Sequence, residues 1–218
     1  MKRALALCMA AALSAPVYSA DPTAPELAAA LQRHYETIRD FSADFRHTSR
    51  GVLGRETIER GTLVVKKPGK MRFEYRAPEQ KLFVTDGTTM YEYIPEMRQL
   101  NVREVPKTDD GSTPVLFLSG RGNLVRDFTP SFTGLPADIP KESRALKLVP
   151  KNPQVEYESL VLIVDARTLA LRGLTALDGQ GGTSSFVFTN LRENINPPDQ
   201  QFQFTPPRGV DIYKQPSR

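Results

Sequence analysis

Beyond residue 40 the apolar residues of this chain recur at every second position in short runs, and that period decides what the chain can become. In the stretch 70–76, Met71, Phe73 and Tyr75 point to one side of an extended backbone, and Arg72, Glu74 and Arg76 to the other. Phe41, Ala43 and Phe45 alternate in the same way, as do Leu63 and Val65 with Lys67, Phe186 with Phe188, and Phe202 with Phe204. Turn signals separate the runs: Pro68-Gly69, Ala77-Pro78, Asp86-Gly87, Pro95-Glu96, Asp178-Gly179 and Gly181-Gly182. The pattern predicts strands over 55–67, 70–76, 81–85, 88–94, 98–105, 144–149, 156–165, 169–177 and 183–191, with a last short strand at Phe202 and Phe204. Connections this short favour an antiparallel meander over parallel crossovers, so the fold class is mainly β.

Two segments depart from that period. Leu27, Leu31, Tyr35 and Ile38 recur at helical spacing, and Thr23 with Glu26 forms a capping-box pattern, so a helix is expected over 23–41. The stretch 112–120, Ser-Thr-Pro-Val-Leu-Phe-Leu-Ser-Gly, has a hydroxyl cap, an early proline and a terminal glycine, the marks of a short helix. It is apolar nearly all round, which suits an element wedged against a core or cavity. The proline-rich stretch 123–141 shows no clear period.

Residues 1–20 read as a signal peptide and 21–218 as one domain. Lys2 and Arg3 precede an apolar run from Ala4 to Ala15 that is too short to span a bilayer as a helix, and small residues follow. Cleavage is expected after Ser19 or Ala20. The single cysteine, Cys8, lies inside that run, so the processed chain has no thiol for a disulfide, metal site or nucleophile. Loss of Lys2 and Arg3 lowers the formal charge of +4 by two, to a mildly basic value that gives no argument for nucleic acid. No other run is long enough for a membrane span.

The chemistry-bearing residues are sparse. His34 and His47 have neither cysteines nor an acidic cluster at metal-ligand spacing, and read as ordinary surface or half-buried side chains. A Ser-His-Asp set assembled across the fold stays open, but no G-x-S-x-G elbow accompanies it. Asp109-Asp110-Gly111 reads as a solvated turn, and Gly179 to Gly182 as a hairpin turn without the lysine of a phosphate loop. No catalytic residue, metal or cofactor is expected. The alternating apolar faces fit either a packed core or a lined cavity, and periodicity does not distinguish the two.

The order and spacing of several segments resemble the LolA family of periplasmic lipoprotein carriers. These are "DFSADF", "GTLVVKKPGKMRFEYRAPEQKLFVTDGTTMYEY", "STPVLFLSG", "VDARTLALRGLTALDGQGGTSSFVFTNLREN" and "FQFTPPRGVDI", which together span nearly the whole processed chain. The resemblance implies an unclosed antiparallel β half-barrel with an α-helical lid over its concave side, in a monomer without enzymatic activity. It implies a periplasmic carrier that shields the acyl chains of triacylated lipoproteins. Cargo would come from an inner-membrane ATP-driven lipoprotein-releasing complex and pass to an outer-membrane receptor of LolB type. Leu63, Val65, Met71, Phe73, Tyr75 and Leu116 are then expected to line the acyl-chain cavity. The family pattern has an arginine before the proline of "VKKPGK", where it bonds to lid carbonyls; here the residue is Lys67. Lys67 is expected to latch the 112–120 helix through carbonyls near Leu118 and Ser119, with Tyr35 nearby. Two other readings remain. One is a half-barrel relative that binds another lipid, senses envelope stress or serves as a receptor, although the processed chain lacks the receptor's acylated N-terminal cysteine. The other is an exported hydrolase on a β scaffold.

Overall fold

The computed structural model describes residues 21–105, 118–120, 122–152 and 157–214. The expected signal peptide, Cys8, the expected Asp109-Asp110-Gly111 turn, Leu116 and most of the expected 112–120 helix lie outside the described residues.

Helix α1 runs over Ala24–Thr37. Thr23 caps it with both halves of the capping box: its hydroxyl accepts from the Glu26 amide, and its own amide donates to the Glu26 carboxylate at 2.8 Å. Leu27, Ala28, Leu31 and Tyr35 form the buried stripe. The helix ends four residues before the expected Phe41. Ile38 and Phe41 satisfy either period, but the backbone there is claimed by the sheet. The Arg39 carbonyl accepts from the Lys67 amide at 2.8 Å, and the Asp40 carbonyl accepts from the Asn194 amide at 2.8 Å.

The strands are β1 (Asp40–Arg50), β2 (Glu56–Lys66), β3 (Lys70–Ala77), β4 (Lys81–Asp86), β5 (Thr89–Ile94) and β6 (Gln99–Glu104). After a one-turn helix α2 (Leu124–Asp127) come β7 (Phe128–Thr133), β8 (Ser143–Pro150), β9 (Ser159–Asp165), β10 (Leu171–Leu177), β11 (Thr183–Glu193) and β12 (Asp211–Lys214). They form one sheet in the order β12-β6-β5-β4-β3-β2-β1-β11-β10-β9-β8-β7. Neighbours are antiparallel, as the short turns predict, apart from the parallel pair of β12 with β6. The two edge strands, β12 and β7, do not pair with each other, so the half-barrel is unclosed. Register shifts at Ser42/Asp44, Arg60/Gly61 and Leu171/Gly173 bend it, since each bulge increases local twist.

Asp86 illustrates how local chemistry sets the register. Its carboxylate accepts from the amides of Thr88 and Thr89, both at 2.8 Å, and closes the β4–β5 turn. Asp178 does the same at the β10–β11 turn, accepting from Gln180 and Gly182.

Two strands carry no alternation to predict them, and one expected strand is absent. β7 contains Pro130, which has no amide to donate; it is tolerated because β7 is an edge. β12 is exposed along its length and exists as an addition to the edge of β6. Phe202, expected in a strand with Phe204, instead ends a 3-10 turn over Asp199–Phe202. That turn packs on β3 and β4 and buries Phe202. Phe204 follows without strand pairing and sits 5.7 Å and 5.6 Å from the rings of Tyr91 and Tyr93. Asp199 holds this segment to Lys66 at 2.6 Å and Lys70 at 3.0 Å. These partners lie on the face opposite Leu63, Val65, Met71 and Phe73, so the C-terminal segment covers the outside of the half-barrel.

Candidate apolar cavity and lid contact

Strand register gathers the inward residues. Leu63 stands opposite Phe73 and Val65 opposite Met71, while Ala43 and Phe41 flank them from β1. Leu63, Val65 and Met71 are fully buried and Phe73 is 2% exposed. Tyr75 is half-buried at the margin of the same cluster. Leu27, Leu31 and Tyr35 of α1 press onto this surface from one side, and Leu146, Leu162 and Phe186 continue it across the sheet. The five expected cavity residues that are described therefore share one face of the sheet, Tyr75 at its margin.

Aromatic rings fill the centre of that face. Phe45 packs edge-on against Phe73 at 5.6 Å, Tyr75 at 4.9 Å and Phe186 at 5.7 Å between ring centroids. Gly61 makes room for this packing. A Cβ there would lie 2.0 Å from the Glu74 carbonyl oxygen and 2.7 Å from the Phe45 ring. Under α1 the packing leaves a crevice of about 10 Å³ between Leu31, Tyr35, Ile38, Phe41 and Leu162. That is no more than the room a single water molecule needs, on the order of 10–15 Å³ by the same measure. Entry of a chain beneath α1 therefore requires the cover to move.

Contacts between α1, the 118–120 segment and the sheet meet at the end of β2. The family pattern places Lys67 against carbonyls near Leu118 and Ser119. Its Nζ instead donates to the Tyr35 carbonyl oxygen near the C-terminus of α1, and lies 3.3 Å from the centroid of the Tyr35 ring. The Tyr35 hydroxyl in turn donates to the Leu118 carbonyl oxygen at 2.5 Å. The Ser119 carbonyl accepts from the amide of Gly69 at 3.1 Å. Lys67, Tyr35, Leu118 and Ser119 thus converge, but as a relay through Tyr35. Gly120, at φ +84°, is packed against the Lys67 side chain so closely that a Cβ would lie 2.8 Å from Lys67 Cδ. Burial lowers the Lys67 pKa to about 8, against the attraction of Glu36 and Glu193. Burial, with a smaller contribution from Glu193, raises that of the Tyr35 hydroxyl.

The opposite end of the concave face is polar, a feature absent from the expectations drawn from sequence. His47, stacked on Phe186 with 4.1 Å between centroids, faces Glu59 at 3.3 Å, and Glu59 also pairs with Lys81. His47 Nε2 lies 2.9 Å from the Ser184 hydroxyl. Burial lowers the His47 pKa and outweighs the upward pull of Glu59. With Tyr75, Phe83 and Glu92 these groups surround a cavity of about 260 Å³. The sequence signal for it is parity: His47 falls two residues after Phe45, and Glu59 two before Gly61, on the inward face. Among the described residues no three His, Cys, Asp or Glu side chains gather to hold a metal, and no helix is long and apolar enough to cross a membrane.

This fold and interior define an open antiparallel half-barrel whose concave side is an apolar surface under a helical cover. The family model of the outer membrane lipoprotein carrier protein LolA matches residues 36–205, and the chain belongs to that family. It is 30% identical over 154 residues to the outer-membrane lipoprotein carrier protein of Nitrosomonas europaea, covering 71% of this chain and 72% of that one. To the protein of the same name from Chromobacterium violaceum it is 29% identical over 212 residues, covering 97% and 98%. An uncharacterized conserved protein from Thermus thermophilus shares the fold, with a TM-score of 0.52 at 13% identity over 86% of this chain and 99% of that one.

Proposed function

We propose that this chain is a soluble, non-enzymatic periplasmic carrier that shields lipoprotein acyl chains. It receives cargo released from the inner membrane by an ATP-driven complex and passes it to a LolB-type receptor at the outer membrane. The observation that supports this reading best is the buried face of Leu63, Val65, Met71 and Phe73 beneath a helix joined to it through the relay of Lys67, Tyr35 and Leu118.

The energetics favour a cover that competes with cargo. Burial of hydrocarbon contributes about 0.8 kcal/mol per methylene, so a triacylated anchor offers on the order of 30 kcal/mol gross. Non-covalent binding saturates near about 20 kcal/mol. A carrier that realised the full value would not release its load. Displacing α1 and the Leu118 contact subtracts from binding and returns that free energy on release.

Purification from the periplasm followed by mass spectrometry of co-purifying proteins tests the reading. Acylated lipoproteins recovered with the monomeric chain support it. Recovery of the chain without acylated partners, from cells in which lipoprotein release is blocked at the outer membrane, contradicts it.

A further inference from the structure

The polar cavity at the far end of the concave face has a chemistry of its own. Its floor is aromatic: Phe73 packs against Phe83 at 6.0 Å and Phe186 at 5.9 Å, and both Phe73 and Phe186 belong to the apolar interior. Hydrocarbon lying on that interior can therefore run into this cavity without crossing polar surface. At the rim stand His47, Glu59, Tyr75, Lys81 and Glu92, brought together by register: His47 opposite Glu59, Tyr75 opposite Lys81, and Phe83 opposite Glu92.

The charges at the rim do not balance. Lys81 is committed to Glu59, and its Nζ lies 5.0 Å from the centroid of the Tyr75 ring. Glu92 accepts a neutral hydrogen bond from Asn101 at 3.2 Å, and among the described residues it has no ion-pair partner. Arg103 lies beyond it, lining a separate crevice of about 30 Å³ with Glu92. Burial keeps His47 on the neutral side. Burial first, then the charges of Glu59 and Glu92, push up the pKa of the Tyr75 hydroxyl. That hydroxyl makes no hydrogen bond to the described residues. Aromatic faces beside carboxylates attract an ammonium group, as Lys81 over Tyr75 already illustrates.

We infer that this cavity binds the ammonium group of an amphiphile whose hydrocarbon lies on the apolar interior, with Glu92 and Tyr75 as its principal contacts. The hydrocarbon half of the inference rests on the carrier reading. An ammonium could come from a lipid headgroup or from a lysine beside the acylated residue of a cargo peptide.

Displacement of an environment-sensitive hydrophobic dye by dodecylammonium, dodecanol and dodecanoate, each below its micellar concentration, tests the inference on the purified chain. Dodecylammonium should displace the dye at about three- to tenfold lower concentration than dodecanol, with dodecanoate weakest. Glu92→Gln should remove most of that advantage, and Lys81→Met, which takes away a competing cation, should enlarge it. Loss of folding would weaken all three ligands together, so the opposite signs of the two variants separate recognition from damage. Displacement without a headgroup preference, or a preference unchanged by Glu92→Gln, overturns the inference and leaves the carrier reading standing. Failure of every amphiphile overturns both. Lysophosphatidylethanolamine against lysophosphatidylglycerol, and palmitoylated peptides with lysine against glutamine, then assign the source. An advantage in either pair supports the site, and none in both overturns it.

Discussion

Lys67 and Tyr35 meet where β2 leaves the sheet: the ammonium donates to the Tyr35 carbonyl and rests 3.3 Å from the centroid of its ring, while the Tyr35 hydroxyl holds Leu118. One tyrosine therefore joins strand, first helix and cover. Removing Lys67 abolishes the first contact and leaves the second.

Lys67→Leu should favour the displaced cover by about 1–3 kcal/mol, because the Tyr35 carbonyl loses a donor that the ammonium and the neutral amine both supply. The variant is expected to retain cargo and pass it to the receptor about fivefold to a hundredfold more slowly, whereas Lys67→Arg keeps a donor and remains functional. A transfer assay with purified receptor checks this. A normal transfer rate for Lys67→Leu removes Lys67 from the latch.

Tyr35→Phe deletes the bond to Leu118 but leaves the backbone carbonyl that Lys67 uses. The expected cost is about 1–2 kcal/mol, because the buried Leu118 carbonyl loses this donor. Hydrogen exchange should quicken at Ser119 and Gly120 while the sheet amides stay protected. Unchanged exchange there would show that Tyr35 does not hold the cover.

The depressed pKa of Lys67 makes closure depend on pH. Its ordinary value is 10.5 and its closed-state value about 8, so between these limits the open or unfolded chain binds more protons than the closed one. Stability of the closed state therefore rises with pH across that window, and below about 8 it carries the cost of burying the charge. Cargo retention should fall from pH 7.5 to pH 9.5 in the wild type. It should stay flat in Lys67→Leu, which does not titrate, and in Lys67→Arg, whose guanidinium stays charged. A fall of equal size in all three would exclude Lys67 as its source.

Phe73→Glu and Arg72→Glu test which face is inside. Phe73 lies in the aromatic cluster, whereas Arg72 bonds Glu74 at 2.6 Å and the Gln201 carbonyl at 3.2 Å on the other face. The buried carboxylate should destabilise the fold by about 3–5 kcal/mol and abolish acylated-peptide binding. The outer substitution should cost about 1 kcal/mol and leave binding intact. Denaturant titration with a binding assay reads both. Comparable losses in the two variants would contradict the facing.

Gly61→Ala places a methyl group on the Glu74 carbonyl, a backbone atom that cannot swing away. Destabilisation of about 3 kcal/mol is expected, seen as a lower denaturation midpoint. A midpoint equal to wild type would mean that β2 and β3 can separate there at no cost.

Much of this arrangement is legible in the amino-acid sequence. Alternation marks β1 to β6 because each has one buried face and short turns, and Thr23 with Glu26 marks the start of α1 through local bonds. What escapes a local reading depends on distant partners. Phe41 satisfies both periods, and the pairing of Arg39 and Asp40 with remote strands decides between them. Pro130 disguises β7, and β12 has no buried face to give it a pattern. The convergence of Lys67 with Tyr35 and Leu118 follows from the family resemblance, but the carbonyl that Lys67 reaches is set by where α1 ends. The polar rim of His47, Glu59, Lys81 and Glu92 comes from four strands, and no local spacing joins them.

The most direct measurement uses a lipoprotein whose acyl chain carries a photoreactive diazirine, cross-linked in complex with the purified chain and mapped by mass spectrometry. A carrier that opens its cover over the concave face yields adducts at Leu63, Val65, Met71 and Phe73. Adducts confined to the outer face around Val84 and Phe202, or a complex that forms without any adduct to the concave face, would contradict it.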